Sequence, residues 1–240
     1  MIQLIKAIYR RQMFFPDWLG IFVNPFYFAR AGLRDAMTEF ATRLSGRLLD
    51  VGCGSKPYRE LFTVETYVGL DIDSENSRNR GIADELYDGN EFPFPDSSFD
   101  SVLCNQVLEH VFNPDEFLGE IARVLKPGGK LLLTVPFVWD EHEQPYDYAR
   151  YSSFGLRALL EKQGFKIVCY KKLGADPTII FQLANAYLYK VSQNLPEFIK
   201  RLITVTVMAS INLAGLLARR FLPGNPDLFL DHVVLVEKTL

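Results

Sequence analysis

Cysteine is scarce in this chain, three residues among 240. Cys53, Cys104 and Cys169 stand apart, form no C-x-x-C pair, and fall in or beside apolar runs. That excludes a disulfide framework or a cysteine zinc site and leaves buried, reduced thiols in a cytoplasmic protein as the expectation. No internal repeat or low-complexity tract is present. The opening MIQLIKAIYRRQMFFPDWLG puts its basic residues after its apolar ones and lacks a small-residue cleavage site, so it is not read as a secretory leader. A strong charge of either sign is also missing: the net value is -3, and no nucleic-acid partner is expected.

The weak net charge hides an uneven distribution. Residues 1–34 carry Lys6, Arg10, Arg11, Arg30 and Arg34 against Asp17, and 178–222 carry Lys190, Lys200, Arg201, Arg219 and Arg220 against Glu197. Each stretch is therefore +4, and the remainder must be -11. Two basic, apolar segments bracket an acidic middle.

In that middle, apolar runs at 47–51, 66–70, 100–104, 130–135 and 165–170, with a weaker one near 82–87, read as strands. Between them lie helical stretches. NPDEFLGEIARVLKPGG offers an Asn113 cap, Pro114 in the first turn and a Gly128-Gly129 stop; SSFGLRALLEKQGF ends at Gly164. This βαβ rhythm predicts an open, mostly parallel sheet with helices on both faces, whose ligand sits at the carboxyl ends of the strands. There LLDVGCGSKPY supplies Gly52 and Gly54 in a turn expected to lead into a helix, and YVGLDID supplies Asp71 about 20 residues on, placed to accept both hydroxyls of a ribose. A dinucleotide fingerprint wants a third glycine where Pro57 stands, so a pyrophosphate cradle is not encoded.

LLDVGCGSKPY, YVGLDID and FPFPDSSFDSVLCNQVLEHVFNPDEFLGEIARVLKPGGKLLLTVP, in that order over residues 46–170, resemble the class I S-adenosylmethionine-dependent methyltransferases, in the type-11 subgroup that includes quinone-biosynthesis and cell-envelope enzymes. The resemblance implies a Rossmann-like α/β fold with a seven-stranded, mostly parallel sheet and an antiparallel last strand, here DHVVLVEK at 231–238. It places Asp50, Gly52, Cys53 and Gly54 at S-adenosylmethionine, the two glycines facing the methionine part. Asp71 would take the ribose, Asp88 the adenine amino group, and Ile72 would pack on the adenine ring or in the core. Asn105 would lie beneath the sulfonium. Some quinone-ring enzymes of the subgroup hold a divalent metal with Glu-x-x-Glu-His; Gln106 replaces the first glutamate, so no metal site is expected, and His110 is read as a satisfied, partly buried residue.

The segment PFVWDEHEQPYDYARYSSFGL, 136–156, follows the fifth strand and emerges at the mouth of the site. It gathers His142, Glu143, Asp147 and Arg150 among Trp139, Tyr146, Tyr148 and Tyr151, and resembles a loop of methyltransferases associated with surface polysaccharides. An acceptor site with His142 or Glu143 as base, ordered by Asp147 and Arg150, is one reading; a solvated loop with a tyrosine lid is the other.

The chain thus divides into an N-terminal helical, aromatic and basic extension (1–45), the cofactor-binding core (46–173), a helical apolar insertion (174–228) and the final strand of the core (229–240). Within the insertion, 202–218 is uncharged for seventeen residues. It can contact a membrane surface together with 1–34, pack as a cover over the acceptor site, or form an oligomer interface. The expectation is a cytoplasmic, membrane-peripheral methyltransferase that methylates an oxygen of a sugar or other group on a cell-envelope or lipid-linked precursor. An isoprenoid quinone precursor is the alternative acceptor, and a non-catalytic protein of the same fold that recruits partners is the alternative class.

Overall fold

The computed structural model describes residues 2–239; Met1 and Leu240, the outer ends of the expected first and last segments, lie outside the described residues. The chain divides into two compact units. One comprises residues 1–36, 138–140 and 172–231; the other, 37–137, 141–171 and 232–240.

The elements run α1 (Ile2–Phe14), α2 (Gly20–Val23), α3 (Tyr27–Ala41), β1 (Arg47–Val51), β2 (Thr66–Ile72), α4 (Glu75–Arg80), β3 (Glu85–Tyr87), β4 (Phe99–Asn105), α5 (Pro114–Val124), β5 (Leu125–Pro136), α6 (Ser153–Lys162), β6 (Phe165–Leu173), α7 (Thr178–Ser192), α8 (Glu197–Ile203), α9 (Ala209–Phe221) and β7 (Asp231–Lys238). The sheet has seven strands in the order β3-β2-β1-β4-β5-β7-β6, mostly parallel with an antiparallel last strand. Strands β1, β4 and β7 are apolar without alternation because they are covered on both faces. Leu49, Val51, Val102, Leu131, Leu133 and Val234 form the centre of the core, against Phe117, Leu118 and Ile121 of α5 and Leu156 and Leu160 of α6.

Two local expectations change. The glycine turn after β1 does not enter an α-helix: only a 3-10 turn, Arg59–Leu61, follows, with Lys56 at φ 51 and Pro57 next to it. A residue before proline is disfavoured in helical backbone, so the chain cannot wind up there. By the same rule α5 stops at Val124, before Lys126-Pro127, and β5 starts at Leu125; Gly128 (φ 74) sits in the register shift opposite Phe99 and Ser101 rather than ending a helix.

In the other unit, α8 continues through one π-helical turn (Thr204–Met208) into α9, giving a single helix Glu197–Phe221 of 25 residues. Met208, Ala209, Asn212 and Gly215 form its buried side. There Asn185 of α7 donates to Asn212 Oδ1 at 2.9 Å, and Asn212 in turn donates to the Ile21 carbonyl at 2.9 Å. Along the same helix the hydroxyls of Thr204, Thr206 and Ser210 donate to the carbonyls of Lys200, Leu202 and Thr206, four residues back.

Candidate functional site

All the expected site residues fall in the unit containing most of the sheet, where the strand order reverses between β1 and β4. At the end of β1, Gly52 and Cys53 N–H both donate to the Leu70 carbonyl of β2, at 2.8 and 3.1 Å, folding the chain back over the strand ends. Gly52 (φ 68) and Gly54 (φ 51) are left-handed, and a Cβ on Gly52 would stand 2.4 Å from Val107 Cγ2. The turn at the switch point thus packs so closely on Val107 that only glycine closes it without strain.

Around this turn the carboxylates take distinct roles. Asp50 is buried, accepts the Tyr67 hydroxyl at 2.6 Å, and is pushed up to about 7 by burial, against the lowering effect of that hydrogen bond. Burial, followed by Asp50 and Asp71, raises the Cys53 thiol to about 12, so it stays a neutral thiol. Asp71 is the second-last residue of β2; its Oδ1 accepts the Ile72 N–H at 2.9 Å, while Oδ2 accepts no hydrogen bond among the described residues. Ile72 is 49% exposed and lies near Gly89, so it is not a core residue. Asp88 is exposed, with the Asn90 N–H on Oδ1 at 2.9 Å, and backbone donors hold it below the usual carboxylate range. Asn105, at the end of β4, accepts the Thr134 hydroxyl at 2.8 Å.

This donor set fits S-adenosylmethionine: a carboxylate with an oxygen available for a diol, an exposed apolar side chain beside it, and a glycine turn that admits close approach. Sequence reasoning missed the brace beneath it, in which Asp84 Oδ2 accepts both Gly69 N–H and Lys56 Nζ at 2.6 Å. Lys56 reaches there from left-handed backbone, for which a lysine carries no sequence signal.

The loop after β5 brings a second group together. Asp147 receives Arg150 through both guanidinium nitrogens at 2.6 and 2.8 Å and the His142 N–H at 2.9 Å; burial would raise its carboxyl, but these donors outweigh it and hold it at about 2. His142 Nδ1 lies 3.3 Å from Asp147 Oδ2. Unexpectedly, His110 joins this group: its ring centroid is 4.8 Å from that of His142, and its Nδ1 donates to the Tyr146 carbonyl at 2.7 Å. Burial lowers His110 despite that hydrogen bond. Glu143 is exposed on the same loop, at φ 49, and its charge acts on His110. Tyr146 and Tyr148 are exposed, and Tyr148 packs on Phe112 at 5.3 Å, so they form a rim and not a buried lid.

Residues 49–133 match the type-11 family model described as a methyltransferase domain. A fatty-acid O-methyltransferase of Mycolicibacterium smegmatis is 40% identical over 100 residues, which is 37% of this chain and 36% of that protein. The 27-O-demethylrifamycin SV methyltransferase of Amycolatopsis mediterranei is 33% identical over 125 residues, 43% of this chain and 46% of that one. The chain thus spans less than half the length of these curated relatives. Phosphoethanolamine N-methyltransferase 2 of Haemonchus contortus, solved with S-adenosyl-L-methionine, shares the fold with a TM-score of 0.56 at 19% identity, covering 93% of this chain and 56% of that one.

Proposed function

We propose that this chain, whose residues 49–133 match a methyltransferase domain, uses S-adenosylmethionine as its methyl donor and O-methylates a lipid-linked acceptor, such as a sugar hydroxyl of a cell-envelope precursor, at the inner face of a membrane. The observation that carries the chemistry is the imidazole of His142 set beside Asp147, which Arg150 fixes in place. Bound S-adenosylmethionine supplies an electrophilic methyl group. An acceptor hydroxyl holds its proton tightly at neutral pH, so this chain must position that oxygen and take the proton. His142 is the group that can take it, its ring oriented by Asp147 as a carboxylate orients a general-base histidine. In this reading Asp71 holds the ribose, Ile72 the adenine face, Asp88 the adenine amino group, and Asn105 borders the reacting centre, while Asp50 and Cys53 support the turn. Glu143, on the loop tip, serves acceptor binding.

The lipid part of the proposal is supported by the helix Glu197–Phe221, long and apolar enough to cross a membrane yet with only 22% of its apolar window buried. Leu202, Val205, Val207, Leu213, Leu217 and Phe221 are exposed along it, with Lys200-Arg201 and Arg219-Arg220 at its ends. A fatty-acid O-methyltransferase among the relatives adds to the case for an apolar acceptor. The test is radiolabel transfer from methyl-labelled donor to lipids extracted from the native host. Label should enter the organic phase, and His142→Ala should cut the rate by about 10²- to 10⁴-fold without changing donor affinity in calorimetry. Label confined to water-soluble products would sink the lipid acceptor; near-normal turnover of His142→Ala would sink the base.

A further inference from the structure

The Glu-x-x-Glu-His donor set that holds a metal in some quinone-ring enzymes is broken here. Gln106 stands in for the first glutamate, has left-handed backbone (φ 57), and donates its side-chain amide to Thr134 at 3.3 Å. A different set of donors has nevertheless been drawn together, from two separate elements. Glu109 and His110 lie on the 3-10 turn Leu108–His110 after β4, and His142 comes from the loop after β5. Their ligand atoms lie within 4.8 Å of one another, and Glu109 is fully buried.

We propose that Glu109, His110 and His142 form a binding site for one divalent transition-metal ion at the mouth of the methyl-transfer cleft. Three features of the surroundings carry the assignment beyond proximity. First, His110 Nδ1 is committed to the Tyr146 carbonyl, so its Nε2 carries the lone pair, and that nitrogen is 3.8 Å from Glu109 Oε1. A metal-ligating histidine typically has its other nitrogen fixed in this way by a carbonyl or carboxylate.

Second, His142 also has a carboxylate beside its Nδ1. Its Nδ1 is 3.3 Å from Asp147 Oδ2, and a proton there, given to the carboxylate, leaves Nε2 as the ligand. Arg150 Nη2 also lies 3.4 Å from this nitrogen and can only donate to the opposite tautomer, so binding of the ion at Nε2 selects the tautomer whose Nδ1 proton goes to Asp147.

Third, the backbone ties the two elements together. Tyr148 and Ala149 N–H groups both donate to the Glu109 carbonyl, at 2.8 and 3.2 Å, so the loop that brings His142 is clamped to the turn bearing the other two donors. A site assembled from distant sequence positions is thereby held in one register.

The donor types select the ion. Two imidazoles and one carboxylate suit zinc, cobalt, manganese or iron, and leave at least one position open; magnesium and calcium prefer oxygen-only sets. With the ion bound, His142 Nε2 is a ligand and does not itself take the proton; the ion acidifies an oxygen bound at the open position instead, so His142 serves the acceptor hydroxyl through the metal in the loaded form and as the base only without it. Binding of the ion does not depend on the identity of the acceptor or on turnover, so it can be tested apart from the proposed activity.

The experiment uses the full chain, stripped with chelator and dialysed, without methyl donor or acceptor. Titration with Co²⁺ should produce a visible ligand-field spectrum that saturates at one equivalent, and Zn²⁺ should displace it. His110→Ala and His142→Ala should each abolish the spectrum, and Asp147→Asn should weaken binding by about 10- to 100-fold. Buried Glu109 is left unsubstituted, and donor binding by calorimetry confirms that each variant is folded. Absence of a saturable spectrum in the wild type overturns the proposal. So does a spectrum that survives both histidine substitutions, or a site that takes Mg²⁺ in preference to Zn²⁺.

Discussion

A carboxyl group buried in a parallel strand must be accommodated in one charge state or the other, and Asp50 is poised between them. Burial raises it to about 7, while the Tyr67 hydroxyl at 2.6 Å partly offsets the desolvation of the anion. An unfolded aspartate titrates near 4, so between about pH 4 and 7 the folded protein binds the extra proton. Stability is therefore greatest on the acid side of this window and falls as pH rises through it, the reverse of the usual carboxylate. Asp50→Asn keeps the acceptor for Tyr67 and removes the charge. Melting temperatures measured from pH 5 to 8 should show wild type losing ground to Asp50→Asn as pH rises; parallel curves would show that Asp50 ionises freely. The composition gave no sign of this, because an aspartate in an apolar run looks the same whether or not its partner lies on the next strand.

At the scale of elements, the turn after β1 is the part whose geometry tolerates substitution least. Gly52→Ala would place a methyl group 2.4 Å from Val107 Cγ2, in backbone that L-residues adopt at a cost. A loss of about 1 to 3 kcal/mol of stability is expected, together with weaker donor binding in calorimetry; unchanged donor affinity would mean that the methionine part is held elsewhere. This turn was readable because glycine spacing after an apolar run has a steric cause. The strands were readable for a related reason: runs such as 47–51 and 231–238 are apolar on both faces because both are covered. What escaped were features decided by tertiary contact. The 3-10 turn at Arg59–Leu61 replaced an expected helix, β5 began five residues before the expected 130, and His110 met His142 across 32 positions of sequence. Histidine spacing cannot report that meeting, since the clamp made by Tyr148 and Ala149 on the Glu109 carbonyl uses backbone groups, which every residue has.

Taken as a whole, the chain concentrates its positive charge in the two flanking segments, +4 each, and leaves the rest at -11. If the basic segments meet anionic lipid, co-sedimentation with phosphatidylserine-containing liposomes should fall as salt rises. Replacing Lys200, Arg201, Arg219 and Arg220 with glutamine should weaken it further, each charge contributing about 1 kcal/mol near the surface. Binding that resists both treatments would place the contact elsewhere. The helix between those charges has a property its composition conceals. Thr204, Thr206 and Ser210 count as polar in any hydropathy scale, yet each hydroxyl proton is already given to a carbonyl of the helix itself. On leaving water these side chains surrender no donor, so the desolvation cost that a hydroxyl ordinarily imposes is largely absent. A lipid tail therefore meets a surface more hydrocarbon-like than its letters spell.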